Sequence, residues 1–198
     1  MLIVGLTGGI GSGKTTIAKL LELKGIPVYD SDVRAKFLMH NSDEIITSLK
    51  KEFGDEVYIN GELNREHLAG VVFENKDKLK ILNSIVHPVV AKDFQDWIAA
   101  QESDIVVKEA AILFESGAYK SCDVNVTVHT DIEERIERVQ KRDGTTREQV
   151  LSRINNQWTD EQRNEKSDII IKNNDIDPTE LNVVKLVEQL KDIIKKEA

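Results

Sequence analysis

The sequence predicts an α/β protein in which a parallel sheet carries helices on both faces, and two observations predict it. Residues 2–6 form a short apolar run typical of a buried strand, and residues 16–21 carry apolar side chains at helical spacing. Comparable apolar runs return at 105–114, 124–128 and 168–171, with helical patterns between them. Buried strands that alternate with helices are typical of parallel sheets.

A glycine-rich loop joins the first predicted strand to the first predicted helix. Residues 8–15 (Gly-Gly-Ile-Gly-Ser-Gly-Lys-Thr) fit the phosphate-loop pattern, which is Gly, four residues and Gly-Lys-Thr. Glycines let successive N–H groups point at an anion, and the helix dipole favours negative charge there. We expect Lys14 to contact the β- and γ-phosphates of a nucleotide and Thr15 to ligate Mg²⁺. The predicted phosphate-binding residues are Gly9, Ile10, Gly11, Ser12, Gly13, Lys14, Thr15 and Thr16.

Length and charge limit the class of protein. A chain of 198 residues can hold one sizeable core with a small insert. The formal charge of -8 argues against a nucleic-acid partner, which calls for a basic face. Cys122 is the only cysteine, so no intrachain disulfide can form and a reducing compartment is favoured. No apolar run approaches the roughly twenty residues of a membrane span. We therefore expect a cytoplasmic protein.

Two carboxylates follow the second predicted strand, residues 26–30. The strand closes on Asp30-Ser31-Asp32, and ligands bind at such strand ends in open α/β sheets. Asp32 could instead cap the next helix. Position alone leaves both alternatives open.

Residues 43–101 carry successive amphipathic helical patterns. Asn41 with Glu44 resembles a capping box, and Asn60-Gly61 predicts a tight turn between two short extended segments. Pro88 suits the first position of a new helix. The preceding His87 could serve a phosphate-handling site or only pack against its neighbours.

Acidic and basic residues in the second half of the chain add candidates for the site. Glu109 lies near the end of the apolar run at 105–114, where a carboxylate can hold Mg²⁺ through water. Arg135, Arg138 and Arg142 have helical spacing, so we expect one face to carry all three guanidinium groups. Such a face suits bidentate phosphate contacts, although a solvated charged helix is the alternative.

These motifs together resemble the dephospho-coenzyme A kinase family of phosphate-loop kinases. Residues 6–15 resemble the family's opening, including a Thr-Gly-Gly-Ile start that generic phosphate loops lack. Asp-Ser-Asp at 30–32 is similar to the family's Asp-Ala-Asp. The further matches are Asn-Gly-Glu-Leu-Asn-Arg at 60–65, Ile-Val-His-Pro at 85–88, Ile-Leu-Phe-Glu at 112–115, and Arg138, Arg142-Asp143 and Thr146-Arg147-Glu148 in a lid segment. Two positions depart from the pattern: Ala111 stands for Pro, and Glu109 for Asp.

The resemblance implies three parts and one reaction. A nucleotide-binding α/β core comprises residues 1–32 with 102–131 and 166–198, a helical substrate-binding insert comprises 33–101, and a helical lid comprises 132–165. The implied reaction transfers the γ-phosphoryl of ATP to the ribose 3′-hydroxyl of dephospho-coenzyme A. A kinase of another small metabolite is the alternative. A nucleotide-dependent switch is disfavoured, because residues 173–176 do not supply an Asn-Lys-x-Asp guanine motif.

The resemblance also implies roles for individual residues. Asp32 orients the ribose hydroxyl and accepts its proton, while Lys14, Arg138 and Arg142 act on the transferring group. Thr15 and Glu109 are expected to hold Mg²⁺. Arg65, His87 and Arg147 are expected to bind the acceptor, with Arg147 also supporting the lid. Asn173 is expected to border the adenine. Asp30 remains an alternative to Asp32 as the base. The sequence indicates no oligomeric state.

Overall fold

The computed structural model describes residues 1–73, 75–174 and 178–197, and within them it contains seven strands and nine α-helices. The strands are β1 (Leu2–Gly8), β2 (Val28–Asp30), β3 (Tyr58–Ile59), β4 (Glu62–Leu63), β5 (Ile105–Glu109), β6 (Val124–His129) and β7 (Ile169–Lys172). The helices are α1 (Lys14–Leu23), α2 (Ser31–Asn41), α3 (Asp43–Phe53), α4 (Arg65–Phe73), α5 (Lys76–Ala99), α6 (Ile132–Asp143), α7 (Arg147–Asn155), α8 (Asp160–Asn164) and α9 (Thr179–Glu197).

Five parallel strands form the main sheet in the order β2-β5-β1-β6-β7. The central strand β1 pairs with β5 on one side and with β6 on the other. Almost every side chain of these three strands is buried, which explains why their sequences are continuous apolar runs rather than alternating ones. The predicted fold class is confirmed: helices surround a parallel sheet.

The chain divides into two compact units, residues 1–30 with 101–198, and residues 31–100. In the first unit, α1 and α9 contact each other and pack on the sheet. Their buried side chains join those of the strands in one apolar cluster, to which the helices contribute Ile17, Ala18, Leu21, Val183, Leu186 and Leu190. This cluster holds β1 and α1 together and so fixes both ends of the loop between them.

The second unit, residues 31–100, contains α2 to α5 and the β3–β4 hairpin. Helices α2, α3 and α4 each contact the long helix α5. Asn60 and Gly61 have φ angles of 52° and 84°, and two left-handed residues are what a two-residue hairpin turn with matching twist requires. The predicted tight turn between two short extended segments is confirmed.

The predicted start of α3 is wrong by one residue. Asn41 is the last residue of α2, where its amide donates to the Phe37 carbonyl at 2.8 Å. Ser42 is the N-cap instead, and its hydroxyl accepts a hydrogen bond from the Ile45 N–H at 3.4 Å. Serine and asparagine are both good caps, so composition alone does not choose between adjacent candidates.

Pro88 does not begin a helix but lies inside the continuous helix α5. An interior proline removes one hydrogen bond and costs about 3 kcal/mol. The buried side chains of Val86, Val90 and Phe94 form a face that continues past Pro88. Burial of such side chains stabilises the helix by about 1.5–3 kcal/mol each, so packing offsets the cost of the proline.

The apolar run at 105–114 is only partly a strand. Strand β5 ends at Glu109, and the following residues form a turn in which Leu113 and Phe114 are buried. A short apolar run cannot distinguish a buried strand from a buried turn. The predicted helix start at Asp177 lies outside the described residues, and α9 begins at Thr179. Among the described residues, no helix is both long and apolar enough to cross a membrane.

Candidate active site

The glycine-rich loop lies where β1 ends at Gly8 and α1 begins at Lys14. Gly11 and Gly13 have φ angles of 82° and 86°, a left-handed conformation that strains any side chain. An ideal Cβ on Gly11 would also lie 2.5 Å from the Arg135 carbonyl oxygen, and one on Gly13 would collide with the Asn173 amide. The loop is thus possible only with glycine at both positions. It delivers the first N–H groups of α1, which have no partner within a helix, to one point that suits an anion.

The Ser12 carbonyl on the loop is held by two side chains from the ends of the strands β6 and β7. It accepts hydrogen bonds from Thr130 Oγ1 at 3.0 Å and from Asn173 Nδ2 at 2.9 Å. Both donor residues are buried and directly follow β6 and β7 respectively. The Asn173 Oδ1 accepts a further bond from Thr179 Oγ1 at 2.8 Å. Asn173 therefore supports the loop, and its assignment to the adenine side stays a prediction.

The two peptide groups on either side of Ile10, in the same loop, are each held by a side chain. The Ile10 N–H donates to Gln157 Oε1 at 3.0 Å, and its carbonyl accepts from Arg135 Nε at 2.9 Å. Arg135 is buried and also donates to Asp160 at 2.9 Å. These contacts hold the first half of the loop. The contacts of Thr130 and Asn173 with Ser12 hold the second half.

Asp160 stands between two buried arginines. Besides Arg135 it accepts a hydrogen bond from Arg163 at 3.3 Å, and Arg163 is fully buried with Glu115 as its second acidic neighbour at 3.5 Å. Burial lowers the pKa of the Arg163 guanidinium, and the two carboxylates oppose that shift. Two buried cations thus depend on these carboxylates for compensation.

Lys14, Thr15 and Glu109 come together at the carboxyl edge of the sheet. Lys14 Nζ pairs with Glu109 Oε1, and the Thr15 hydroxyl lies 3.3 Å from the same oxygen. Asp30 ends β2 directly beside Glu109 in the parallel register. A hydroxyl and carboxylate oxygens fit Mg²⁺, which takes one or two carboxylates together with phosphates and waters. Among the described residues no group of three or more His, Cys, Asp or Glu could hold a metal alone.

Of the predicted lid residues Arg138, Arg142 and Arg147, the structure brings Arg138 to the loop. Arg138 donates to the Asn173 carbonyl at 3.0 Å and is half-buried. Arg142 forms an exposed bidentate pair with Asp143, at 2.7 and 3.1 Å. Arg147 pairs with Glu133 in the same way, at 2.6 and 2.7 Å.

The expectation that Arg135, Arg138 and Arg142 share one ligand-facing surface is wrong. Arg135 is buried and committed to Ile10 and Asp160, whereas the Arg142 side chain is 62% exposed. Helical spacing sets the side of the helix, but the neighbouring elements decide which guanidinium is covered.

Asp32 is the second residue of α2, so the alternative that it caps this helix is wrong. A first-turn carboxylate still benefits from the helix dipole. Its predicted role toward an acceptor hydroxyl stays a prediction.

The helical unit contains a largely apolar cavity of about 260 Å³, and Arg65 is one of the residues that line it. Its lining residues are Lys36, Met39, His40, Leu63, Arg65, Leu68, Ala69, Val72 and Leu82. Arg65 Nη2 lies 3.2 Å from His40 Nε2, and His40 Nδ1 lies 3.2 Å from a Glu62 oxygen. His87 is half-buried on α5 and does not line this cavity; burial lowers its pKa.

The sequence carries no local signal for the residues that support the loop. No pattern marks Thr130 or Gln157, and helical spacing places Arg135 on a predicted ligand face. The partners are 118 to 147 positions away from the loop residues they contact. Only tertiary structure brings them together, and no local pattern signals such contacts.

Replacing Asp160 by Asn tests the buried charge network. The change leaves two buried guanidinium groups with weaker compensation, so we expect the free energy of unfolding to fall by about 3 kcal/mol. Urea unfolding measures it. The control Asp192→Asn removes a carboxylate that is 64% exposed and pairs with Lys195 at 3.2 Å, and it should cost no more than about 1 kcal/mol. Equal losses in both variants would contradict the account of Asp160.

The chain is similar in sequence and in fold to proteins of one family. A model of the dephospho-CoA kinase family matches residues 2–178. A dephospho-CoA kinase from Porphyromonas gingivalis is 43% identical over 154 residues, 78% of this chain and 76% of the relative. One from Chlorobium chlorochromatii is 43% identical over 181 residues, 87% of this chain and 85% of the relative. The crystal structure of a Thermus thermophilus protein superposes with a TM-score of 0.82 at 31% identity, covering 100% of this chain and 98% of that one. The chain belongs to the dephospho-CoA kinase family.

Proposed function

We propose that this protein transfers the γ-phosphoryl group of ATP to the ribose 3′-hydroxyl of dephospho-coenzyme A, which yields coenzyme A and ADP. The observation that carries the proposal is the family match over residues 2–178, which includes the phosphate loop. The net charge of -8 supports a small-molecule acceptor rather than a nucleic acid. The single cysteine supports a cytoplasmic location.

Phosphoryl transfer asks the protein mainly to position the reactants and to neutralise charge. The loop N–H groups between Gly9 and Thr16 hold the β- and γ-phosphates, apart from those of Ile10 and Ser12, which donate to Gln157 and to the Gly9 carbonyl. Lys14 contacts the oxygens between the two phosphates. The O3′–phosphorus bond forms while the bond from phosphorus to the bridging β–γ oxygen breaks. Asp32 orients the attacking hydroxyl and takes its proton, and ADP leaves with the bridging oxygen.

Thr15 and Glu109 would hold Mg²⁺, with Asp30 beside Glu109 in the neighbouring strand. The ion, when bound, neutralises charge on the β- and γ-phosphates. The contact between Lys14 and Glu109 places the lysine at the mouth of the loop. A γ-phosphate would offer Lys14 a stronger anion, which would leave the Glu109 carboxylate to the metal.

Arg138 is the lid residue that the geometry favours for the transferring group. Its guanidinium borders Gly13, because an ideal Cβ there would lie 3.7 Å from Arg138 Nη1. Arg142 and Arg147 are held by Asp143 and Glu133 and reach phosphate only after those pairs open. In the nucleotide-bound protein, Arg142 contacts the transferring group and Arg147 supports the lid.

The acceptor is assigned to the helical unit, residues 31–100. Its cavity joins an apolar lining to the cationic side chains of Lys36 and Arg65. Dephospho-coenzyme A likewise joins an apolar arm to a diphosphate, which a guanidinium and an ammonium group can bind. His87 is assigned to the same acceptor, and burial lowers its pKa, which favours the neutral imidazole.

The activity itself is the first prediction from this proposal. Purified protein with Mg-ATP should convert dephospho-coenzyme A to coenzyme A with equimolar ADP release, followed by liquid chromatography and mass spectrometry. Shikimate, a simple alcohol acceptor, serves as the control and should give no product. Turnover of shikimate without turnover of dephospho-coenzyme A would place the protein among kinases of other metabolites.

Replacing Asp32 by Asn tests the base. The amide keeps the shape and one acceptor but cannot take the proton, so kcat should fall by about a hundred-fold or more. The ATP dissociation constant, measured by calorimetry, should stay close to the wild-type value. Lys14→Ala should weaken ATP binding and also lower kcat, because Lys14 contacts the phosphates before and during transfer.

Asp43→Asn is the matched control for Asp32, because Asp43 also occupies the first turn of a helix in the same unit. It should alter stability slightly and leave kcat unchanged. Near-normal kcat in Asp32→Asn would exclude Asp32 as the base and make Asp30 the candidate.

A further inference from the structure

Ile10 contacts the rest of the protein through its backbone and its side chain. The N–H donates to Gln157 Oε1 at 3.0 Å, and the carbonyl accepts from Arg135 Nε at 2.9 Å. The side chain packs against a small apolar cluster centred on the buried residues Ile136, Val139 and Val150. The phosphate-loop pattern accepts any residue at this position. The packing of the side chain therefore explains why an isoleucine is present, although nucleotide binding does not require one.

All of these partners belong to one segment of the chain. Arg135 and Ile136 lie on α6, Val150 lies on α7, and Gln157 lies in the connection between α7 and α8. This is the segment 132–165 to which the lid was assigned. Ile10 thus belongs to the phosphate loop and also packs against the lid segment.

The connection that carries Gln157 is itself firmly held. The Trp158 N–H donates to Glu115 Oε1 at 3.2 Å, and the Trp158 ring stacks on Phe114 with centroids 6.1 Å apart. Two residues further on, Asp160 pairs with Arg135 at 2.9 Å. Gln157 is therefore presented to Ile10 from a fixed position.

We infer that Gln157 is a positioning residue of the phosphate loop and that Ile10 couples nucleotide binding to the segment 132–165. The N–H and the carbonyl of Ile10 belong to two successive peptide groups, so the two contacts hold both groups, and the following N–H groups keep their aim at the phosphates. Without the Gln157 contact the loop must be ordered when ATP binds, and ordering on binding lowers affinity. The inference rests on the proposed function only in that ATP occupies this loop.

Gln157→Met tests the inference, because methionine is similar in length to glutamine and lacks the accepting oxygen. We expect the dissociation constant for ATP, measured by calorimetry, to rise about five- to tenfold, the usual scale for loss of one such hydrogen bond. We expect kcat at saturating ATP to change less than about twofold, since the ordering cost is met on binding. Amide hydrogen exchange at Ile10 should accelerate.

Gln149→Met is the matched control. The Gln149 Oε1 also accepts a backbone hydrogen bond at 3.0 Å, from Thr146, but it serves only the cap of α7. This variant should lower the melting temperature and leave the ATP dissociation constant unchanged. An unchanged ATP dissociation constant in Gln157→Met, or the same rise in both variants, would overturn the inference. Since ATP binding needs no acceptor, a failure to phosphorylate dephospho-coenzyme A would refute the proposed function and leave this test intact.

Discussion

A phosphate loop must point its N–H groups at one place, and its carbonyl groups must therefore find partners on the other side. In this protein the carbonyls of Ile10 and Ser12 are bound by Arg135, Thr130 and Asn173, all three of which are buried. A buried carbonyl without a partner costs about 1–3 kcal/mol, so these contacts make the curled loop a stable conformation before any ligand arrives.

The strand order makes these contacts possible. Thr130 directly follows β6, which is the neighbour of β1, and Asn173 directly follows β7, the next strand along. Because the sheet is parallel, all three strands end at the same edge, and the loop after β1 meets the residues that follow β6 and β7. The Asn173 amide fills the space beside Gly13, and this is why the loop tolerates no side chain there. Sheet topology and loop chemistry are thus parts of one arrangement.

The sequence predicts what local patterns determine. The parallel sheet, the phosphate loop and the turn at Asn60-Gly61 follow from apolar runs, glycine spacing and turn residues that act over a few positions. The support of the loop does not follow from such patterns, because Gln157 is 147 residues away from Ile10 and Asn173 is 161 residues away from Ser12. Pro88 shows the same limit: its local preference predicts a helix start, while tertiary packing keeps α5 continuous. The roles of Asp32, Arg142 and His87 depend on a bound nucleotide and acceptor, and they stay predictions.

The claim that outer contacts hold the phosphate loop ready is tested most directly with a ligand that has no adenine. Calorimetry should compare the binding of inorganic tripolyphosphate to the wild type, to Asn173→Ala and to Asn174→Ala. Asn174 is the matched control, because its amide bonds to Asp131 at 3.1 Å and not to the loop. We predict that Asn173→Ala weakens tripolyphosphate binding about tenfold while Asn174→Ala leaves it unchanged. Unchanged tripolyphosphate binding in Asn173→Ala, with weakened ATP binding, would assign Asn173 to the adenine side and contradict the account.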